Sequence, residues 1–290
     1  MIPLSHPARS KSDTYYVNES LVLRTHTSAH QNELLSKGYK NFLVTGDVYR
    51  KDEIDNRHYP IFHQMEGVIL LDKKEDARAI LVKILTGLVE YLFPQCEYQF
   101  NNDYFPFTNP SYEMEVKFNN NWIEVLGCGV IQEEILKNNG IIDKNGIAFG
   151  LGIDRLCMIF FEIPDIRYLW STDSKFLNQF DNRMNSKFKP YSLLKEDYRD
   201  ISFWVNSEKW ENENDLYELI REVASDLISK VELIDKFYHP SKQHYSRTYR
   251  LTYSPNDCTL DNPSDFTKLI DTIDQKLRIN IRDTLKIQLR

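Results

Sequence analysis

Cysteine is scarce in this sequence: Cys96, Cys128, Cys157 and Cys258 are the four in 290 residues, scattered and without a C-x-x-C pair. That spacing offers neither a disulfide framework nor a thiolate zinc site, and a reducing compartment is the default expectation. No apolar run reaches the length needed to span a bilayer. There is no excess of positive charge either: 36 Lys and Arg stand against 43 Asp and Glu, for a net charge of −7. That balance argues against a broadly cationic nucleic-acid surface. Internal repeats and low-complexity tracts are also absent, although Asn and Lys are abundant.

What is present has the make-up of a globular chain, 41% hydrophobic and 13% aromatic, long enough for one large or two medium domains. The most informative stretch is GDVYRKDEIDNRHYPIFHQMEG, residues 46–67. It predicts strands over 41–51 and 59–71, joined by a charged loop with Asp52, Glu53, Asp55, Arg57 and His58. Side chains two apart on a strand share a face, so Phe62, Gln64 and Glu66 line up while Arg50 closes the first strand. One face then offers a guanidinium fork, a ring, an amide and a carboxylate. Such a set suits a ligand with a phosphate, a flat base and an ammonium group. Taken alone, the stretch equally fits an ordinary hairpin with a polar solvent face.

A second stretch, GIAFGLGIDRLCMIFFEIPDIR at 146–167, predicts a short strand, a Gly150-Leu151-Gly152 turn and an apolar helix with Asp154 and Arg155 near its start. Glycine lets the backbone pass close to a ligand, and an Arg on the first turn can reach a phosphate there. The third glycine of a dinucleotide fingerprint is missing. Together, the hairpin and this strand–helix resemble motifs 2 and 3 of the class II aminoacyl-tRNA synthetases. His6-Pro-Ala-Arg9, RTHTSAHQ (24–31), DYFPFTNPSYEME (103–115) and WIEVLGCGV (122–130) follow in order. That order is similar to the phenylalanyl-tRNA synthetases, in their single-chain organellar (mitochondrial) form, and the resemblance covers essentially the whole chain.

The fold class implied is α+β: an antiparallel-sheet catalytic domain over 1–182, then a ferredoxin-like (βαββαβ) anticodon-binding domain over 188–290. In the first part, strands are expected at 41–51, 59–71, 112–119, 121–130 and 146–149, and helices at about 27–38, 73–92 and 152–162. The second part follows from periodicity independently of the resemblance. After the polar DNRMNSKFKP (181–190), DISFWV (200–205) alternates as a strand. A helix with Leu216, Leu219, Ile220, Val223, Leu227 and Ile228 on one side follows, Asn214 its expected N-cap. Strands are expected over 231–238 and 244–253, the latter with Tyr245, Arg247, Tyr249, Leu251 and Tyr253 on one face. A second helix opens at Asn262-Pro263, and TLKIQLR closes the chain as a strand. That order is the ferredoxin-like module. Residues 187–290 carry 17 basic and 18 acidic side chains, a net of −1, so the first 186 carry the other −6. Within HPSKQHYSRTYR (239–250), Lys242, Arg247 and Arg250 stand without an acid, which makes them candidate tRNA contacts or merely a solvated basic strand.

The resemblance implies residue roles. His26, Ser28 and Gln31 match the amino-acid-binding stretch, with Ala29 and His30 in the same wall. Metal binding by His26 and His30 would need a third ligand that the sequence does not supply. Arg50 is expected on the α-phosphate of ATP, and His58 and Arg155 on the outer phosphates. Phe62 is expected to stack on adenine, while Gln64 and Glu66 receive the substrate ammonium with Met65 between them. Arg57 and Tyr59 complete the loop's contacts with substrate. Phe105 and Phe107 are expected to wall the phenylalanine ring, with Ala148 and Phe149 flooring the pocket; without the resemblance, both phenylalanines would be assigned to the core. Glu124 is the candidate for a Mg²⁺ or ribose contact. Asp154 stands where the family usually has Glu, and the segment ahead of His6, the family's motif 1, is expected to be mostly missing. The partners implied are phenylalanine, ATP with Mg²⁺ and tRNA(Phe). A monomer in the mitochondrial matrix is implied with them, although Met1-Ile2-Pro3-Leu4-Ser5 does not read as a targeting peptide. The alternative is a non-catalytic tRNA-binding or regulatory protein that keeps the synthetase fold.

Overall fold

Alternation of apolar and polar residues builds two larger antiparallel sheets, each covered on one face by helices. A computed structural model describes residues 9–118, 120–180, 186–190, 194–205, 210, 213–241, 243–255, 260 and 262–290. The chain divides into two compact units: Met1–Arg50 with Ile61–Glu162, and Lys51–Pro60 with Ile163–Arg290.

The first unit opens with a small antiparallel pair, β1 (Tyr16–Asn18) and β2 (Leu21–Val22). A 3-10 turn over Thr27–His30 leads into α1 (Gln31–Ser36). Then come β3 (Asn41–Tyr49), β4 (Ile61–Asp72), α2 (Ala77–Leu92) and β5 (Tyr98–Asp103). The unit closes with β6 (Thr108–Phe118), β7 (Asn121–Ile131), α3 (Glu133–Asn138), β8 (Lys144–Gly152) and α4 (Ile153–Phe161). The six long strands form one sheet, β3-β4-β8-β7-β6-β5, antiparallel throughout. Asp76 caps α2 by accepting from the Ala79 N–H at 3.0 Å, in place of a partner the first turn cannot supply. The buried residues of α2, Ala77, Leu81, Leu85 and Val89, recur every fourth position. That stripe packs with Ile159 of α4 on Met114, Val116, Leu126, Ile147 and Leu151. Each fully buried leucine contributes about 1.5–3 kcal/mol there. The opposite face has a smaller apolar cluster, Leu35, Val68, Ile131, Leu136 and Ala148. The rest of that face carries the site. Strand β5 is not legible in YQFNND, which is mostly polar; its register with β6 makes it a strand.

The second unit begins with a 3-10 turn over Ile166–Trp170, capped by Asp165, and α5 (Ser174–Leu177). It continues with β9 (Asp197–Val205), α6 (Glu213–Ala224), β10 (Ile228–His239), β11 (His244–Tyr253) and α7 (Pro263–Thr284). The sheet order is β10-β11-β9. Asn262 caps α7 as its sequence suggests, accepting from the Ser264 N–H at 2.9 Å. Asn214 does not cap α6, because the helix already begins at Glu213. The expected last strand is reduced to one bridge, Leu289 to Phe203, with Trp204 N–H donating to Gln288 O at 2.9 Å. Helix α7 runs to Thr284, the first residue of the expected strand. The core joins Phe203, Ile220, Tyr249, Tyr253, Ile270 and Leu277.

Candidate active site

Glu66 sits mid-strand in β4 and is only 2% exposed. A buried carboxylate needs donors, and three side chains supply them. Ser28 Oγ donates to its Oε2 at 2.5 Å, Thr27 Oγ1 donates to the same oxygen at 3.4 Å, and the Gln31 amide donates to Oε1. The Nδ1 of His26, which accepts the Ser28 N–H at 3.1 Å, lies 3.5 Å from Oε2. Two residues earlier on the same face, Gln64 Oε1 accepts the Thr27 N–H at 3.3 Å. The 3-10 turn is therefore stitched to β4 through His26, Thr27, Ser28 and Gln31, and presents an anionic receptor. Thr27 had no role assigned from sequence, although it lies in the same THTS run. Ala29 is exposed, and His30 turns to Arg24 Nη1 at 2.8 Å and Glu33 at 3.7 Å; neither is a partner of Glu66. Among the described residues, no group of three His, Cys, Asp or Glu is arranged to hold a metal ion.

Phe105 and Phe107 lie in the turn just before β6, with centroids 5.9 Å apart and planes 10° apart. Their turn is held rigidly: Phe105 N–H donates to Ser111 Oγ at 3.3 Å, Ser111 Oγ to Thr108 O at 3.0 Å, and Gln132 N–H to Phe107 O at 3.0 Å. Phe105 lies so close over Gly127 that a Cβ there would meet its ring at 2.8 Å, which explains a glycine in mid-strand. Phe107 is 6.1 Å from the His26 ring. The two phenylalanines thus adjoin the wall of the Glu66 receptor. Ala148, paired in register with Val68 and Gly129, is buried on the face of Glu66.

At the end of β3, Arg50 donates from Nε to Thr25 O at 3.0 Å and lies 5.1 Å from the Phe62 ring centroid. Arg155, on the first turn of α4, donates from Nη1 to Glu124 Oε2 at 3.2 Å. Next to it in sequence, Asp154 is buried and serves the fold. It accepts the His63 N–H at 2.5 Å, and the His63 ring lies 3.2 Å away, so the shorter acid is accommodated by a partner on β4. Glu113, opposite Gly127, is pushed up to about 7 by burial, then by the carboxylates of Glu124, Asp103 and Glu115. This corner favours cationic company.

Several expectations need correction. Met65 and Phe149 do not share the face of Gln64, Glu66 and Ala148, because neighbouring residues on a strand point to opposite sides. Both pack in the α2 core, and the Phe149 ring would lie 2.2 Å from a Cβ on Gly67. Arg57, His58 and Tyr59 fall in 51–60, which belongs to the second unit. There His58 pairs with Asp55 at 2.9 Å, while Tyr59 donates to Asp226 at 3.2 Å and stacks on Trp170. Burial opposes ionisation of Asp55, but hydrogen bonds from His58 and the Arg57 backbone outweigh it and bring it down to about 2. Arg247 is not on a solvated strand: it is 5% exposed, with Tyr249 Oη at 3.3 Å and Glu213 at 4.0 Å. Arg250 is held by Asp200 through two bonds of 2.9 Å. Lys242 and residues 6–8 of the His6-Pro-Ala-Arg9 run lie outside the described residues.

The comparisons with known proteins bear on this geometry. Residues 1–180 match the family of tRNA synthetases class II core domain (F), and 192–290 match the ferredoxin-fold anticodon binding domain. The chain is 43% identical to the chloroplastic/mitochondrial phenylalanine–tRNA ligase of Arabidopsis thaliana, covering 100% of this chain and 68% of that protein. It is 44% identical to the mitochondrial enzyme of Mus musculus over 90% of this chain and 66% of that protein. To the probable mitochondrial enzyme of Drosophila melanogaster it is 38% identical over 100% of this chain and 75% of that protein. The chain thus spans two thirds to three quarters of these relatives' lengths. A class II core followed by a ferredoxin-fold anticodon-binding domain, with this identity along both, means that the chain belongs to the family of organellar phenylalanine–tRNA ligases.

Proposed function

We propose that this protein activates phenylalanine with ATP and passes the acyl group to tRNA(Phe) in organellar translation. The observation that carries the reading is the buried Glu66, served by Thr27, Ser28 and Gln31, beside the Phe105–Phe107 pair. Glu66 and Gln64 receive the substrate ammonium, which gives the buried carboxylate its counter-charge. Phe105 and Phe107 take the ring in offset or edge contact. The substrate carboxylate oxygen attacks the α-phosphorus of ATP in line, pyrophosphate leaves, and phenylalanyl adenylate remains. Arg50 stabilises charge growing on the α-phosphate, and Phe62 offers its ring to the adenine. Arg155 reaches the outer phosphates by releasing Glu124. A hydroxyl of the terminal ribose of tRNA then attacks the acyl carbonyl, and AMP leaves.

A divalent cation suits Glu124, since Mg²⁺ is usually held by one or two carboxylates together with substrate phosphates and not by a protein cage. Raised protonation at neighbouring Glu113 supports a demand for positive charge there. Bound Mg²⁺ would supply charge neutralisation on the phosphates. For tRNA, the outer face of the β9–β11 sheet is the better surface: Arg290 lies 5.5 Å from the Trp204 ring centroid and 5.7 Å from that of Phe237. Arg250, 4.2 Å over Tyr198, extends that aromatic–guanidinium face. Bases stack on such aromatic platforms, and the arginines add cation–π contact and charge for the phosphates. The protein acts as a monomer in the mitochondrial matrix under this reading. No described helix is long and apolar enough to cross a membrane. Phenylalanine-dependent exchange of pyrophosphate into ATP tests the activation step, and absence of exchange would remove the reading.

A further inference from the structure

Residues 51–60 link β3 to β4, yet they are packed as part of the second unit. Ile54 is 6% exposed and lies in the core of the C-terminal module with Ile220, Val231 and Leu251. Its carbonyl accepts the Val231 N–H from β10 at 2.9 Å. Arg221, on α6, donates from Nη2 to Asp52 O at 2.5 Å and to Glu53 O at 2.6 Å. Its other arm is oriented by Glu218 at 2.8 Å. On the far side, Asn56 Nδ2 donates to Pro164 O at 3.1 Å, and Ile166 N–H to Asn56 O at 3.0 Å. An apolar plug, a forked arginine and backbone bonds on both sides fix a loop that would otherwise be a charged, solvated connection.

We infer that the C-terminal module positions the 51–60 loop for amino-acid activation, with Arg221 and Ile54 as the positioning residues. The loop is covalently continuous with Arg50 at one end and with Phe62 shortly after the other. Within it, Asp55 orients His58 by accepting both its backbone N–H at 2.8 Å and its ring at 2.9 Å. This inference rests on the proposed role of Arg50 and Phe62 toward ATP. It adds a dependence of the tRNA-free half-reaction on residues of a module otherwise assigned to tRNA.

The test uses the full chain without tRNA, so that lost RNA contacts cannot enter. Arg221→Ala is expected to raise KM for ATP in pyrophosphate exchange roughly 10-fold, the scale for losing hydrogen bonds from a charged group. KM for phenylalanine is expected to stay within about 2-fold, because Glu66 and its partners lie in the first unit. Arg221→Lys, which keeps one donor direction, is expected to fall between. Hydrogen exchange read on peptides spanning 51–60 provides a readout independent of activity: protection is expected to drop in Arg221→Ala and in Ile54→Ala. Unchanged exchange in 51–60 in both variants would overturn the inference, as would an unchanged KM for ATP. An inactive wild-type chain whose 51–60 exchange still responds to Arg221→Ala would instead sink the reading of function and leave the positioning contact standing.

Discussion

Glu66 illustrates how much of the chemistry rests on single side chains. Its charge is the feature a substrate ammonium needs, and Glu66→Gln keeps the shape while removing it. KM for phenylalanine is expected to rise roughly 10- to 100-fold, the range for a charged hydrogen bond, with KM for ATP little changed; steady-state pyrophosphate exchange separates the two. Arg50→Ala is expected to lower the activation rate roughly 10²- to 10³-fold, as for one positioned electrostatic donor, with poor rescue by Lys. Glu113 makes a different prediction. Its folded pKa is raised from 4.5 to about 7. The unfolded chain therefore releases this proton first, and stability present below pH 4.5 is lost as pH rises to about 7. Glu113→Gln should remove that slope, so its melting temperature relative to the native chain should climb between those values; parallel curves would contradict it. At this scale the sequence was legible where period two was applied, as for Gln64 and Glu66. It misled where a motif was carried over contiguously, which placed Met65 and Phe149 on the wrong face. Thr27 was missed because its role depends on the turn's docking to β4, a long-range contact no local pattern encodes.

Elements were read more securely than their edges. The β3–β4 hairpin, the α2 stripe and the helices of the C-terminal module carry strong periodicity, and all are present. Strand β5 escaped because the alternation of Tyr98 and Phe100 is too short to stand out before Asn101-Asn102-Asp103, and its pairing with β6 completes the strand. On β11, alternate residues were correctly put on one face, but that face is inward. Arg247 is thus a packed arginine beside Tyr249 and Trp210, 6% exposed at the side chain. Arg247→Ala is accordingly expected to destabilise the module by about 1–3 kcal/mol, the penalty for stripping buried polar partners. Thermal denaturation checks it. Trp204→Ala with Phe237→Ala is expected to weaken tRNA binding by about 1–3 kcal/mol per lost stacking partner, with folding intact. Ala148 lies between Val68 and Gly129 in a filled layer, so Ala148→Val should cost about 1–3 kcal/mol through overpacking and lower activity toward phenylalanine.

For the whole molecule, the net charge of −7 and the near-neutral C-terminal part both argue against recognition by bulk electrostatics. An aromatic sheet face with a few arginines can hold single-stranded bases by stacking, and its salt slope should follow the few phosphate contacts those arginines make, about one unit for each. The two-part organisation was legible from composition and periodicity. The assignment of 51–60 to the second unit was not, since nothing in KDEIDNRHYP distinguishes a free loop from one whose isoleucine is a plug. The central claim is that this geometry activates phenylalanine, and ATP–pyrophosphate exchange with each proteinogenic amino acid in turn tests it most directly. Strong exchange with phenylalanine is expected. Tyrosine should give a weak but measurable rate, roughly 10² lower, because an apolar pocket discriminates poorly against one added hydroxyl. Exchange with none of the amino acids, or with another in preference to phenylalanine, would contradict the account.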